Sequence, residues 1–257
     1  MKLSLSRAAL LAEFTAVTVV VALAAASVPW STGYLAWSWD ALNHHVYLGM
    51  TAEYPRWQLD VLAANFQSYQ YPYLYWPVYR LSLLDAPGAM VGAAWSAFQA
   101  ALLAMPVWCI SWRLLPALNG SVQIVGERLA ACALAFMSGV VIIGLETTAN
   151  DVLAAVPLLW AVFVGLQPRP SLRQALVAAF LCGVSVAFKL SNGIFLPLLV
   201  VWWWQRDRPH LGLGRGLTLA IGACLGFTLA YGPWGWQLWR LTGNPFHPFF
   251  GSYFGGG

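Results

Sequence analysis

The chain has 257 residues, of which 60% are apolar and 9% charged, with a mean hydropathy of +0.66. Soluble domains carry roughly 25% charged residues, so a soluble globular class is excluded and a membrane class follows. The formal charge of +4 does not indicate nucleic-acid binding, because the bases are scattered over short gaps between apolar runs rather than gathered on one stripe.

Lys2 and Arg7 precede the first apolar run. The stretch Ala8 to Ala26 fits either a signal peptide with small residues near Ala24 and Ala26 or an uncleaved anchor, and its length favours the anchor. Six further runs follow: Gly88 to Trp112, Leu129 to Leu145, Val152 to Leu166, Ala175 to Phe188, Gly193 to Trp204, and Gly216 to Tyr231. Arg113, Arg128, Arg169, Arg173, Arg206, Arg208 and Arg215 occupy alternate gaps, which the positive-inside rule makes cytoplasmic. The other gaps hold Asp40, Glu53, Asp60, Asp85, Glu146 and Asp151 and face the far side. The pattern predicts an all-α membrane protein of about seven transmembrane helices, with a cytoplasmic N-terminus, in the plasma (inner) membrane. The whole of 1–257 reads as one polytopic module, without an internal repeat or a soluble domain.

The runs starting at Val152, Ala175 and Gly193 would reach only about 18–23 Å, against an apolar bilayer core of about 30 Å. Fusing Ala175 to Trp204 into one helix would put Arg173 and Arg206 on opposite sides, so a hairpin is preferred, with Lys189, Ser191, Asn192 and Gly193 at its outward tip. Glu146, Thr147, Thr148, Asn150 and Asp151 form the preceding tip by the same logic. Both tips should be recessed, since irregular polar backbone at that depth must line protein or water.

The segment 30–87 is a long extracytoplasmic loop rich in Trp and Tyr, which favour the headgroup region. Trp37 to Met50 can form an interfacial helix on which positions 37, 40, 44 and 47 share a face. The segment 232–257 is again aromatic and external, with the turn Gly243-Asn244-Pro245-Phe246-His247-Pro248.

Asp40 is the leading chemical candidate, as a general base toward a hydroxyl or as a cation ligand; the alternative is an N-cap with Asn43 at the third helical position. His44 has Asp40 one turn away as an orienting partner, whereas adjacent His44 and His45 cannot share one face of a regular helix. Lys189, an ionisable group between short apolar runs, suits a phosphate, or else pairs with Glu146 or Asp151. Glu146, Asn150 and Asp151 could bind sugar hydroxyls or, with Asp40, a divalent cation; a turn capping the next helix is the plainer role for Asn150. Arg56, Arg80 and Arg240 are weaker candidates, suited to headgroup anchoring. The four cysteines sit in apolar runs without CxxC spacing, so neither a zinc site nor a disulfide framework is indicated. Gly212 to Gly216 is no nucleotide fingerprint, because no strand precedes it, and the sequon Asn119-Gly120-Ser121 falls on the inner side.

The order of parts resembles the polytopic glycosyltransferases of the GT-C fold. The resemblance rests on a single span followed by a large loop opening with Trp39-Asp40-Ala41-Leu42-Asn43-His44-His45, then Gln67-Ser68-Tyr69, Pro72, Tyr75, Pro77 and Tyr79. The tips Glu146 to Asp151 and Phe188-Lys189-Leu190-Ser191-Asn192, and the turn Gly243-Asn244-Pro245-Phe246, complete it. It implies a seven-span module that transfers a sugar from a polyprenyl-phosphate carrier to a hydroxyl of a glycan, lipid or protein acceptor. Asp40 would be catalytic, and Lys189, Arg56, Arg80, His44, Asn192, Glu146, Asn150 and Asp151 would hold substrate or lipid phosphate. A divalent cation is a possible cofactor, and no nucleic acid is implied. Members usually continue into further spans or a C-terminal domain, so 1–257 is expected to be a minimal module or the N-terminal part of one. A transporter or permease subunit, or a non-catalytic scaffold, is the rival reading.

Overall fold

The computed structural model describes residues 7–35, 38–57, 59–60, 64–115, 122–145, 147–167, 170–206 and 213–254. Among them all regular structure is helical. α1 (Arg7–Thr32), α4 (Gly88–Leu114) and α10 (Leu213–Thr242) are each long and apolar enough to cross a membrane. A fourth crossing is possible if α5 (Val122–Phe136) and α6 (Gly139–Leu145), which meet at a 70° bend, count as one broken span. These helices mark the chain as a membrane protein. The remaining apolar helices, α7 (Asp151–Gly165), α8 (Leu172–Phe188) and α9 (Phe195–Arg206), are short.

Four contacts define the bundle. α1 lies antiparallel to α4, with Pro29 against Gly92 near one end and Glu13 bonded to Trp108 near the other. α7 runs alongside α4 in the same direction, so that Leu153 packs with Trp95 and the Arg113 guanidinium sits 5.6 Å from the Phe163 ring. α8 reverses against α7, with Ala161 beside Ala175 and Ala178, and the Ser185 hydroxyl donating 2.7 Å to the Ala154 carbonyl. α10 then runs parallel to α8. The seam of that pair is Gly183 against the Ala223 carbonyl and Gly222 and Gly226 against the carbonyls of Leu176 and Phe180, where a Cβ would have to displace backbone. Small residues four apart permit this approach, as in transmembrane helix pairs generally.

Two expected helix bounds are corrected. The run Leu129 to Leu145 is not one straight span, because the helix stops at Met137-Ser138 and resumes with the Ser138 hydroxyl accepting from the Val141 amide. α10 does not end at Tyr231; it continues through Pro233 to Thr242, so the first part of the segment 232–257 is helical. Tyr231, Trp234 and Leu238 explain this: spaced three and four apart, they bury one face against Trp57, Tyr69, Tyr71 and Tyr73, and that burial outweighs the amide missing at Pro233. Arg128, read from the charge pattern as a residue of a gap, is helical and paired. It lies within α5, 1% exposed, and its guanidinium grips both oxygens of Glu13 at 2.8 and 2.5 Å.

α8 and α9 are separate helices joined by a 3-10 turn at Leu190–Ile194, and Trp203 returns to pack on Ala175 and Ala178 near the start of α8. The fused-helix alternative is therefore not what forms. Lys2, Trp37, Glu146, Arg169, Arg208, Gly212 and the sequon 119–121 lie outside the described residues.

Candidate functional site

A cavity of about 370 Å³ opens where the first loop, the two hairpin tips, the outer part of α10 and the C-terminal turn meet. Asp40, His44, His45, Asn150, Asp151 and Lys189 all line it.

Asp40 lies in the first turn of the loop helix, which runs on as a wide π turn over Ala41–His45 and then as α2 (Val46–Thr51). Its backbone is already helical and its side chain makes no capping bond; the Ser38 hydroxyl accepts the Ala41 amide at 3.1 Å instead. The Asp40 carboxylate is thus released from the structural role open to it, and it stands 57% exposed with the His44 Nδ1 3.9 Å away. That gap is too long for a hydrogen bond, and Nδ1 of His44 is buried without a partner.

His45 donates to or accepts from the Thr148 hydroxyl at 2.7 Å and stacks on Tyr75 with ring centroids 4.6 Å apart. Both imidazoles line the cavity, although a regular α-helix would turn neighbours about 100° apart; the π turn replaces that geometry. Burial lowers the pKa of His44, opposed by Asp40, and lowers that of His45 to about 4, with His44 adding to the effect. At neutral pH both rings are uncharged.

The first tip is tethered from α4. Trp95 Nε1 donates to the Thr147 carbonyl at 2.8 Å, and the fully buried Gln99 reaches the Gly144, Leu145 and Thr147 carbonyls at 3.3–3.4 Å. Asn150 precedes α7 without a side-chain capping bond, so the capping role does not account for its buried amide, which lines the cavity. At the second tip Lys189 leaves helical geometry (φ −150°, ψ 108°), and its ammonium forms an ion pair with Asp151.

The other sequence candidates lie elsewhere. Asn192 points back into the hairpin, bonding the Ser185 hydroxyl at 2.9 Å, and serves the tip rather than the cavity. Arg56 pairs with Asp60 and Arg80 with Glu53, each at 3.3 Å, and neither reaches the cavity. Glu146 is outside the described residues. No cluster of three His, Cys, Asp or Glu side chains suited to a metal occurs among the described residues, and of the Asp40 and Asp151 pair considered for a cation, Asp151 is paired to Lys189.

The aromatic part of the wall was not singled out from sequence as part of the site. It includes Gln67, Tyr69, Gln70, Tyr71, Tyr231, His247 and Phe249, and its Tyr71 ring lies 5.6 Å from that of Phe188, the neighbour of Lys189. Burial raises the pKa of Tyr71 to about 12 and that of Tyr75 further, so their hydroxyls stay protonated and can donate. Buried Asn244 builds the C-terminal part of this wall: its amide donates to the Phe249 carbonyl at 2.7 Å and its oxygen accepts the Phe246 amide at 2.9 Å. Gly243, at φ +72°, supplies the left-handed turn that ends α10. The clue in the sequence was the Gly-Asn-Pro turn after an aromatic run, but nothing in it pairs that turn with residues some two hundred positions earlier.

One free carboxylate, two uncharged imidazoles, a lysine held by an acid and an aromatic wall can together accept a proton, hold a polar ring and offer one positive charge. No family model, curated protein or solved structure matches the chain.

Proposed function

We propose that the chain is a membrane glycosyltransferase of the GT-C kind, taking a sugar from a polyprenyl-phosphate carrier and transferring it to an acceptor hydroxyl on the outer side of the plasma membrane. In this reading the chain crosses seven times with its N-terminus in the cytoplasm. What supports that topology is the Lys/Arg asymmetry between alternate gaps of the sequence, together with α1 running antiparallel to α4 and α8 antiparallel to α7.

The observation that carries the functional reading is Asp40, a carboxylate without a capping bond that shares one cavity with Lys189. Asp40 takes the proton of the acceptor hydroxyl as that oxygen attacks the anomeric carbon. The bond from that carbon to the phosphate oxygen breaks, and the electron pair leaves with the phosphate. Lys189 meets the charge developing there, having exchanged part of its contact with Asp151 for the phosphate. Asn150 and the tyrosine hydroxyls hydrogen-bond the sugar, while the aromatic wall covers its apolar face. Acceptor and carrier lipid both reach the site from the membrane surface.

A transporter or permease subunit is the second reading, because an ion pair linking two helix tips also suits a solute gate. Sealed vesicles containing the purified chain distinguish the two. Loss of sugar from the polyprenyl-phosphate donor with release of the carrier phosphate supports transfer; solute flux with an intact donor supports transport and overturns the proposal.

A further inference from the structure

The charges lining the cavity do not balance for an anionic ligand. Among the described residues, the titratable groups that line it with His247 are Asp40, His44 and His45 on the loop helix, Tyr69, Tyr71 and Tyr75 further along the loop, Asp151 and Lys189 on the tips, and Tyr231 on α10. Tyr71 and Tyr75 are protonated at neutral pH and His44 and His45 are held uncharged. Among the described residues Asp40 and Asp151 outweigh Lys189 by one formal negative charge, and Lys189 is already engaged by Asp151. A phosphate entering such a site needs a second cation.

His247 is placed to become it. Asn244 and the Tyr231 hydroxyl, which bonds the Pro245 carbonyl at 3.1 Å, fix the turn that carries it. Its ring meets the Tyr69 ring edge-on at 4.5 Å, on the cavity wall. The ring nitrogens make no hydrogen bond to a described residue and are not sealed inside the protein, unlike Nδ1 of His44. His44 is the poorer choice, since its 3.9 Å separation from Asp40 and 4.4 Å from the His45 ring tie any charge it gains to its own neighbours.

We propose that His247 is a second ligand for the phosphate group, sharing the lining of one cavity with Lys189, and that it takes up a proton as the anion binds. The inference rests on the carrier-phosphate reading of the same site. Partial burial lowers the pKa of His247, so the free protein holds the ring neutral; the arriving anion favours its charged form. The site would thus stay uncharged at this position until phosphate is present, and its affinity would rise as pH falls toward 6.

The test is calorimetric titration of the full chain in detergent with farnesyl methyl phosphate, a phosphodiester whose single charge does not titrate near neutrality. Running it in buffers of different ionisation enthalpy counts the protons taken up. Wild type should take up between roughly half and one proton at about pH 7. His247→Gln should abolish that uptake and weaken binding about tenfold, whereas His44→Gln should keep the uptake. At about pH 8.5 wild type and His247→Gln should bind alike, which also shows the variant to be folded. Unchanged affinity and uptake in His247→Gln, with weakening in Lys189→Gln, would overturn the role of His247 and leave the phosphate site standing. Uptake lost in His44→Gln alone, or wild-type binding that requires magnesium, would overturn it too. No binding of the phosphodiester by wild type would defeat both this inference and the carrier reading.

Discussion

Lys189 and Asp151, 38 positions apart in sequence, close an ion pair that joins the tips of two helical hairpins. Both side chains remain partly exposed, so the pair contributes only about 0–1 kcal/mol to stability. Its consequence is electrostatic: it fixes the lysine that lines the cavity beside a competing carboxylate.

Asp151→Asn should therefore leave the melting temperature of the detergent-solubilised protein nearly unchanged while strengthening binding of a polyprenyl phosphate several-fold, by roughly 1 kcal/mol. Lys189→Gln should weaken the same binding, and isothermal titration of both variants checks the pair of opposite signs. Equal weakening by both substitutions would mean that the ion pair itself, rather than the free ammonium, builds the site.

The capping assignment moves from Asp40 to Ser38. Ser38→Ala should cost about 1 kcal/mol of local helix stability, read as faster hydrogen exchange over 41–51, while Asp40→Ala should leave that exchange unchanged.

The Glu13 and Arg128 pair is nearly sealed, at 9% and 1% exposure, with the Trp108 indole donating a further 3.0 Å bond to the carboxylate. Removing either charge alone leaves the other buried and uncompensated, so Glu13→Gln and Arg128→Met should each destabilise by about 3–5 kcal/mol. The double variant should lose much less than the sum. Denaturation of all four proteins in one detergent measures the coupling.

His45 gives stability a pH dependence. Its pKa is lowered to about 4 by burial, whereas in the unfolded chain it lies near the ordinary 6.5. Between those values the unfolded chain binds the extra proton, so this contribution is complete above about pH 6.5 and is lost as pH falls toward 4. Melting temperatures should decline across that window in wild type and decline less in His45→Gln.

Charge alternation and apolar run length made the helical membrane class and the two polar tips legible, because both follow from the bilayer as solvent and act residue by residue. Asp40, Asn150, Asp151 and Lys189, singled out from those tips and the first loop, line one cavity. What stayed hidden depends on packing partners. The extension of α10 through Pro233 is driven by burial of Trp234 and Leu238 against the first loop. Arg128 reads as a topological marker until Glu13 is placed beside it, and Arg56 and Arg80 read as free until Asp60 and Glu53 are. The wall carrying Tyr69 and His247 joins segments with no shared local pattern.

The most direct test is the transfer rate of Asp40→Asn beside wild type, in the same vesicles with donor, acceptor lipids and a parallel measurement of carrier binding. Asparagine is nearly isosteric and, with Ser38 supplying the cap, leaves the helix start intact, but it cannot accept a proton at neutral pH. Transfer lowered by about two to four orders of magnitude with carrier binding retained is the result expected for a general base. Near-normal turnover by that variant would contradict the assignment of Asp40, and with it the glycosyl-transfer mechanism built on this cavity.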